Sequence, residues 1–279
     1  MILIADSGST KTDWCFFDTD ICNKVSTQGI NPFHQSEQEI SSIIINELLP
    51  QSPNIAGVRH CFFYGAGCTP EKSPELASAL CSSFSLSASN VSVASDLLGA
   101  ARALCGDQEG IACILGTGSN SCYYDGNVIA SHVSPLGYIL GDEGSAAYIG
   151  KRLVGNRLKT QFSQSTCDLF FHETQLTPYM IIENVYRKPM PNRFLGNISQ
   201  FCQHHLDIPE IELFVVDCFV EFLTRNVKAY NRPDLPINVI GSIAEVYKKQ
   251  LSIATDSCGM CIGKIMRTPM PGLIEYHSK

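Results

Sequence analysis

Missing from this chain, first of all, is anything that could cross a membrane as a helix: nowhere do apolar residues run uninterrupted for the ~18 that a span requires. Nor does the N-terminus show the basic-then-apolar pattern of a secretion signal, so a cytoplasmic protein is expected. Basic residues are in deficit as well, 20 against 27 acidic ones, for a formal net charge of −7. An acidic chain whose lysines and arginines are spread evenly offers no surface to nucleic acid or to an anionic membrane. Any polyanion it handles should be small and metal-neutralised. No G-x-x-x-x-G-K-[ST] occurs, which excludes the P-loop architecture. No low-complexity linker occurs either, so the lobes described below are expected to pack together with a cleft between them.

Cysteine is plentiful, at 13 residues, but it lacks the regular spacing of a disulfide framework, and most of these residues read as small core side chains in a reducing compartment. The closest pair, Cys258 and Cys261 in "SCGMC", has no second pair to complete a tetrahedral zinc site. It reads as two free thiols on a helix.

What the chain does have is alternation. Strand and helix patterns follow one another along all 279 residues, the signature of an α/β protein. Length suggests two domains at ~150 residues each, and the pattern puts the boundary at 107/108. Ser36 and Glu39 stand at capping-box spacing ahead of Ile40, Ile43, Ile44 and Leu48, predicting a helix over 36–49. Strands are expected at 60–67 and 91–96, and helices at 73–84 and 97–106, the last closed by Gly106. The second half adds helical segments over 142–158, 178–187 and 210–230, then a buried strand over 236–242 that opens directly into a helix.

At residue 110 the opening pattern restarts. A shift of 110 residues lays Leu3, Ile4 and Ala5 over Cys113, Ile114 and Leu115, and Gly8-Ser9 over Gly118-Ser119. Both copies run from an apolar strand through a turn of glycine and hydroxyl residues and return through aromatics. The match points to an internal duplication.

Such turns expose backbone N–H groups and hydroxyls with no bulk to block an anion, which suits them to phosphate oxygens. In the first, "DSGSTKT", Asp6 ends the strand facing the same space. A carboxylate beside phosphate requires a cation between them, and Mg²⁺ fits that role. The same turns are also what ordinary reversals look like, and the second copy is what favours the ligand reading. Gly241 and Ser242 sit at a third strand-to-helix step, open to a flat ring or an anion. Phosphoryl transfer to an alcohol needs a base near the hydroxyl. Asp96, at the end of a buried strand, is the leading candidate and Asp142 the next, although either could be a helix N-cap.

Taken together, "IADSGSTKTDW", "ASDLLGAARAL", "ILGTGSNS", "LGYILGDEGSAAYIG" and "VIGSIAEV" resemble, in order and spacing, the N-acetylglucosamine kinase branch of the BadF/BadG/BcrA/BcrD ATPase family, within the actin, Hsp70 and hexokinase superfamily. The resemblance spans nearly the whole chain. It implies two ribonuclease-H-like lobes, residues 1–107 and 108–279 with the last helix packing back on the first lobe, and ATP in the cleft. It implies that Ser7, Gly8, Ser9, Thr10 and Lys11 in one turn and Thr117 and Gly118 in the other serve the ATP phosphates, Thr10 and Thr117 most directly. Asp6 becomes the Mg²⁺-associated acid, Asp96 the base on a sugar hydroxyl, and Gly241 and Ser242 neighbours of the adenosine. Asn31, Ser119, Asn120 and Asp142 would bond the sugar. Leu136 and Gly137 fall in the sugar-side segment, where the family usually reads G-G-W-G and this chain has Ser134-Pro135-Leu136-Gly137.

The expected activity is ATP-dependent phosphorylation of the C6 hydroxyl of N-acetylglucosamine or a related amino sugar, with a small-molecule sugar as the partner and a homodimer compatible with it. Two other readings stand beside it. One is the redox-activator branch of the same family, which drives an electron from a shared iron–sulfur cluster; the cysteines raise it and their spacing argues against it. The other is a sugar or cell-wall-fragment sensor without turnover, which would need neither Asp6 nor Asp96.

Overall fold

Leu3, Ile4 and Ala5 are all fully buried because the strand they form, β1 (Ile2–Ser7), lies in the middle of its sheet with both faces covered, the setting in which alternation gives way to a continuous apolar run. It pairs antiparallel with β2 (Lys11–Asp18), which pairs antiparallel with β3 (Ile21–Gln28). On its other side β1 runs parallel to β4 (His60–Gly65), and β4 parallel to β5 (Val91–Ser95). The helices here are α1 (Glu37–Ile43), α2 (Ser73–Phe84) and α3 (Asp96–Cys105). The computed structural model describes residues 1–279 apart from Ser9, Thr19, Asp20, Pro53 and Asn54.

The capping box forms as expected: Ser36 N donates to Glu39 Oε2 at 2.7 Å and Glu39 N to Ser36 Oγ at 3.3 Å. The predicted helix nevertheless stops being α-helical at Ile43, widens into a π-helical turn over Ile44–Leu48, and ends in a 3₁₀ turn at Leu49–Gln51. Two causes are visible in these residues. The crowded, χ1-restricted run Ile43-Ile44-Ile45 must bury Ile44 together with Leu48, and Pro50 removes the N–H that would continue the ladder.

The second half repeats the plan with β6 (Gly110–Leu115), β7 (Ser119–Tyr124), β8 (Ile129–His132), β9 (Ile237–Ile240) and β10 (Ile262–Met266). Its helices are α4 (Gly137–Leu140), α5 (Ala146–Leu158), α6 (Gln164–Thr174), α7 (Pro178–Tyr186), α8 (Pro191–Ile198), α9 (Gln200–His204), α10 (Pro209–Arg225), α11 (Ser242–Val246) and α12 (Lys248–Ser257). The two sheet orders, β3-β2-β1-β4-β5 and β8-β7-β6-β9-β10, are the same topology written twice. The register of the duplication differs from the sequence match, however. Ser7 pairs with Thr12 and Leu115 with Ser119; Gly8 N donates to Lys11 O and Gly116 N to Gly118 O. Gly8 therefore corresponds to Gly116, not Gly118, and Ser119 opens the returning strand, because the second turn is shorter than the first.

Contacts divide the chain into one unit of Met1–Gln108, Gly126–Val128 and Thr268–Lys279 and another of Glu109–Asp125 and Ile129–Arg267. The first is built on Trp14, Phe16, Ile40, Phe63, Leu76 and Leu80; the second on residues such as Leu115, Leu153, Phe170, Phe219, Val239 and Tyr247. No helix among the described residues is long and apolar enough to cross a membrane. Seven of the cysteines are buried thiols, as small core residues should be. Cys15 and Cys22, in contrast, form a disulfide between β2 and β3. Cys258 and Cys261 are not on one helix: they flank the turn from α12 to β10.

The C-terminal helix, α13 (Met270–His277), belongs to the first unit. His277 stacks on Phe62 with ring centroids 3.8 Å apart and hydrogen-bonds the Tyr64 hydroxyl at 2.9 Å, which also accepts from Arg102. Burial, aided by the Arg102 charge, pushes the His277 imidazole down to about 4. Gly272 permits this docking: a Cβ there would stand 2.2 Å from the Ala103 carbonyl oxygen on α3. Because that neighbour is backbone and cannot swing away, Gly272→Ala is expected to cost about 1–3 kcal/mol, measured as a lower midpoint in thermal unfolding.

Candidate functional site

Parallel strands gather functional groups at their C-terminal ends, and in the first unit those ends belong to β1, β4 and β5. Asp6 is the next-to-last residue of β1, opposite Asp13 on β2 and Tyr64 on β4. Asp96 follows β5 as the first residue of α3. Sequence reading left Asp96 as a possible N-cap; the cap is Ser95, whose hydroxyl accepts from Leu98 N at 3.2 Å. Asp96 Oδ1 accepts instead from Leu97 N at 2.8 Å, where the helix N-terminus favours a carboxylate. The Asp6 carboxyl is pushed up to about 7, chiefly by burial and then by the negative charges of Asp96 and Asp13, with Lys11 offsetting part of the rise. The two acids named from the sequence therefore sense each other within one unit.

Among the described residues no three His, Cys, Asp or Glu side chains form a metal cage. Mg²⁺ needs none, since one or two carboxylates with waters and phosphate oxygens complete its shell. An acid held up first by burial and then by its acidic neighbours fits as a first ligand, because a divalent cation there offsets both.

The turn after β1 is more occupied than its sequence suggests. Ser7, expected among the phosphate contacts, is fully buried; its hydroxyl donates to Ile30 O, accepts from Ile30 N and meets Thr12 Oγ1 at 2.7 Å. That side chain fastens the following loop and is unavailable to a ligand. Lys11 is ion-paired to Asp13 at 2.9 Å. Gly8 and Thr10 are exposed, and Ser9 lies outside the described residues. Asn31 is held by its loop: Oδ1 accepts from Phe33 N at 2.9 Å, and its own N–H donates to Gln35 Oε1 at 2.7 Å. Gly67 has φ +76° and lies so close that a Cβ would be 2.0 Å from Asn31 Oδ1.

In the second unit the ends of β6 and β9 carry the corresponding groups. Gly116 O and Thr117 O accept from Ala146 N and Ala147 N at the start of α5, at 2.9 and 3.1 Å. Gly118 covers Asp142, so that a Cβ at 118 would meet Asp142 Oδ2 at 3.0 Å; Ser119 N approaches Oδ1 at 3.5 Å. The Asp142 carboxyl is pushed up to about 6, first by burial and then by Glu143, against the Ser119 N–H and Lys151. Gly241, φ +134°, would place a Cβ 2.0 Å from Leu115 O, so only glycine lets the end of β9 close on the end of β6 beside the 116–118 turn. Ser242 is exposed at the start of α11. Asn120 Oδ1 accepts from His132 Nε2 at 2.9 Å and from Ser121 N at 3.0 Å. Leu136 has φ +61° and is exposed, and Gly137 has φ +73° with open space around it.

"GDEGS" proves to be one structural device, with α5 beginning only at Ala146. A Cβ at Gly141 would stand 2.1 Å from Pro135 O, Asp142 turns at φ +56°, and buried Glu143 pairs with Arg225 at 2.8 Å. Gly144 has φ +72° against Phe222, and Ser145, not Asp142, caps α5. Lys151 was not foreseen. Its Nζ donates to Tyr138 O at 2.8 Å and its charge acts on Asp142, yet in the sequence it looks like any surface lysine of an amphipathic helix.

Two sheets of order 3-2-1-4-5, each presenting polar loops at its C-terminal edge, define the actin-like ATPase fold with two ribonuclease-H-like lobes, as expected from the sequence. The chain matches a candidate N-acetylglucosamine kinase of Porphyromonas gingivalis at 51% identity and a TM-score of 0.93, over 99% of this chain and 98% of that one. A candidate N-acetylglucosamine kinase of Chromobacterium violaceum (16% identity, TM-score 0.71, 99% of each chain) and MreB 5 of Spiroplasma citri bound to AMPPNP (9%, 0.59, 99% of this chain and 94% of that one) share the fold. No protein-family model and no curated protein matches. The chain belongs to the N-acetylglucosamine kinase-like family of actin-like ATPases.

Proposed function

We propose that this protein is an ATP-dependent sugar kinase that transfers the γ-phosphoryl group to the C6 hydroxyl of N-acetylglucosamine or a related amino sugar. The observation that carries the proposal is the pair Asp6 and Asp96 at one sheet edge, with the Asp6 carboxyl held up to about 7 in part by Asp96. An acid destabilised in this way is suited to a site that receives positive charge, and a neighbouring acid at a helix start is suited to accept a proton. The 51% identity to the Porphyromonas gingivalis protein supports the same reading.

In this mechanism Asp96 takes the proton of the attacking hydroxyl, its other oxygen steadied by Leu97 N–H. Asp6 would hold Mg²⁺, which when bound would neutralise charge on the phosphates. Gly8, Thr10, Thr117 and Gly118 serve the phosphates through backbone N–H groups and hydroxyls, and Gly241 and Ser242 flank the nucleoside. Asp142, its carboxyl directed by Ser119 N–H, accepts hydrogen bonds from sugar hydroxyls, and Asn31, Ser119, Asn120, Leu136 and Gly137 are the other residues assigned to the sugar. A kinase drawing on the ATP pool would work in the cytoplasm. Incubation with ATP, Mg²⁺ and a panel of hexoses and hexosamines tests the proposal: ADP release that depends on one amino sugar is expected, and its absence with every sugar would overturn it.

A further inference from the structure

One large side chain at the edge that carries Asp6 and Asp96 has no part in the roles above. Phe33 is 63% exposed, and the other exposed large apolar residues described in the first unit, Ile21, Ile45 and Val128, lie on β3, in the π-helical turn and just before β8. We infer that Phe33 is the platform on which the sugar ring stacks, and that it selects hexopyranoses with equatorial substituents. The inference rests on the sugar kinase reading and adds to it a specificity-determining residue.

Three observations carry it. The first is position. Phe33 follows Ile30, whose N–H is fastened to Ser7 Oγ at the end of β1, and Ala66 N after β4 donates to Ser7 O. A Cβ on Gly67 would stand 3.1 Å from the Cβ of Phe33, while the next residue, Cys68, has its thiol pushed up to about 12 by burial and by the Asp96 charge. The ring thus belongs to the same edge as both acids. The second is rigidity. Phe33 N, His34 N and Gln35 N all donate to Asn31, to Oδ1 or to the carbonyl, at 2.9–3.1 Å; Gln35 Nε2 returns to Gly29 O at 3.2 Å; and Pro32 fixes its own φ. His34 meets the Phe33 ring edge-on, centroids 5.1 Å apart. A ring displayed on a turn whose polar groups are paired loses little further freedom when a ligand covers it.

The third is chemistry. A pyranose whose hydroxyls are all equatorial presents a face of axial C–H bonds, which covers an aromatic ring without burying a polar group. An axial hydroxyl on that face would be desolvated against carbon. Asn31, in the same turn, supplies polar contacts at the rim.

The test uses Phe33→Ala, Phe33→Leu, Phe33→Tyr and Phe33→Trp in the full chain. Phe33 is exposed, so none should unfold the protein. Loss of the ring is expected to raise the sugar KM roughly tenfold in the Ala and Leu variants, the scale of a lost aromatic contact, with kcat and the ATP KM within about twofold; Tyr and Trp restore wild-type values. The natural chain has one tryptophan, Trp14, fully buried, so Phe33→Trp is its own reporter. Its emission should shift on adding the phosphorylated sugar and less on adding an axial epimer. A wild type that phosphorylates a sugar while Ala or Leu leaves the KM unchanged overturns the inference and leaves the kinase standing. A wild type that turns over no sugar, with Phe33→Trp emission unmoved by any of them, overturns both.

Discussion

Asp96→Asn is expected to lower turnover by roughly 10²–10⁴, the range for losing a positioned base, while sugar affinity stays near that of the wild type. The substitution is close to isosteric, and its oxygen can still accept from Leu97 N at the start of α3. Losing a charge at the helix N-terminus costs about 0.3–1 kcal/mol, too little to unfold the protein. Ser95→Ala supplies the contrast. It deletes the hydroxyl that accepts from Leu98 N, so it should destabilise by ~1 kcal/mol with turnover nearly intact. Steady-state ADP release, calorimetric sugar binding and a thermal midpoint separate the two variants. If Asp96→Asn turns over within a few fold of the wild type, Asp96 is not the base.

Where the residues themselves impose geometry, the sequence could be read. Leu3-Ile4-Ala5 announces a strand buried on both faces, Ser36 and Glu39 announce a helix start, and the polar turns after β1 and β6 mark the two edges that carry Asp6 and Asp142. Side-chain direction was harder to read. A strand covered on both faces shows no alternation, so nothing local indicated that Ser7 turns inward to Ile30 while Asp6 meets its acidic neighbours. Lys11 and Asp13 were legible in principle, since residues two apart share a strand face, but the turn's likeness to a phosphate cradle drew Lys11 toward the ligand.

Distance along the chain hid the rest. The bonds from Glu143 to Arg225 and from His277 to Tyr64, and the close approach of Asn31 to Gly67, join segments that only the fold brings together. Phe33 is hidden for a related reason: an aromatic beside a proline and a histidine has the composition of an ordinary loop, and only its exposure on a braced turn distinguishes it.

Asp6→Asn should act in opposite directions on stability and on activity. Burial and the Asp96 and Asp13 charges raise the Asp6 carboxyl from 3.8 to about 7, so the folded state disfavours the ionised form that the unfolded chain adopts above pH 4. Below pH ~4 both states hold the proton and nothing is lost; between pH ~4 and ~7 the unfolded chain releases it first, and stability falls as pH rises. Above pH 7 the loss is complete, with an upper bound of roughly 4 kcal/mol from the full displacement. Asparagine cannot ionise, so without metal Asp6→Asn should melt several degrees above the wild type at pH 8 and alongside it at pH 4. The same change removes the carboxylate proposed to hold Mg²⁺. Wild type should gain stability on adding Mg²⁺ with ATP at pH 8, whereas the variant should gain far less and lose turnover by about 10³ or more. Thermal melts from pH 4 to 8, in chelator and then in Mg²⁺ with ATP, read both effects at once. A variant that melts below the wild type at pH 8 would mean that Asp6 is a satisfied structural acid, and the metal role proposed for it would be lost.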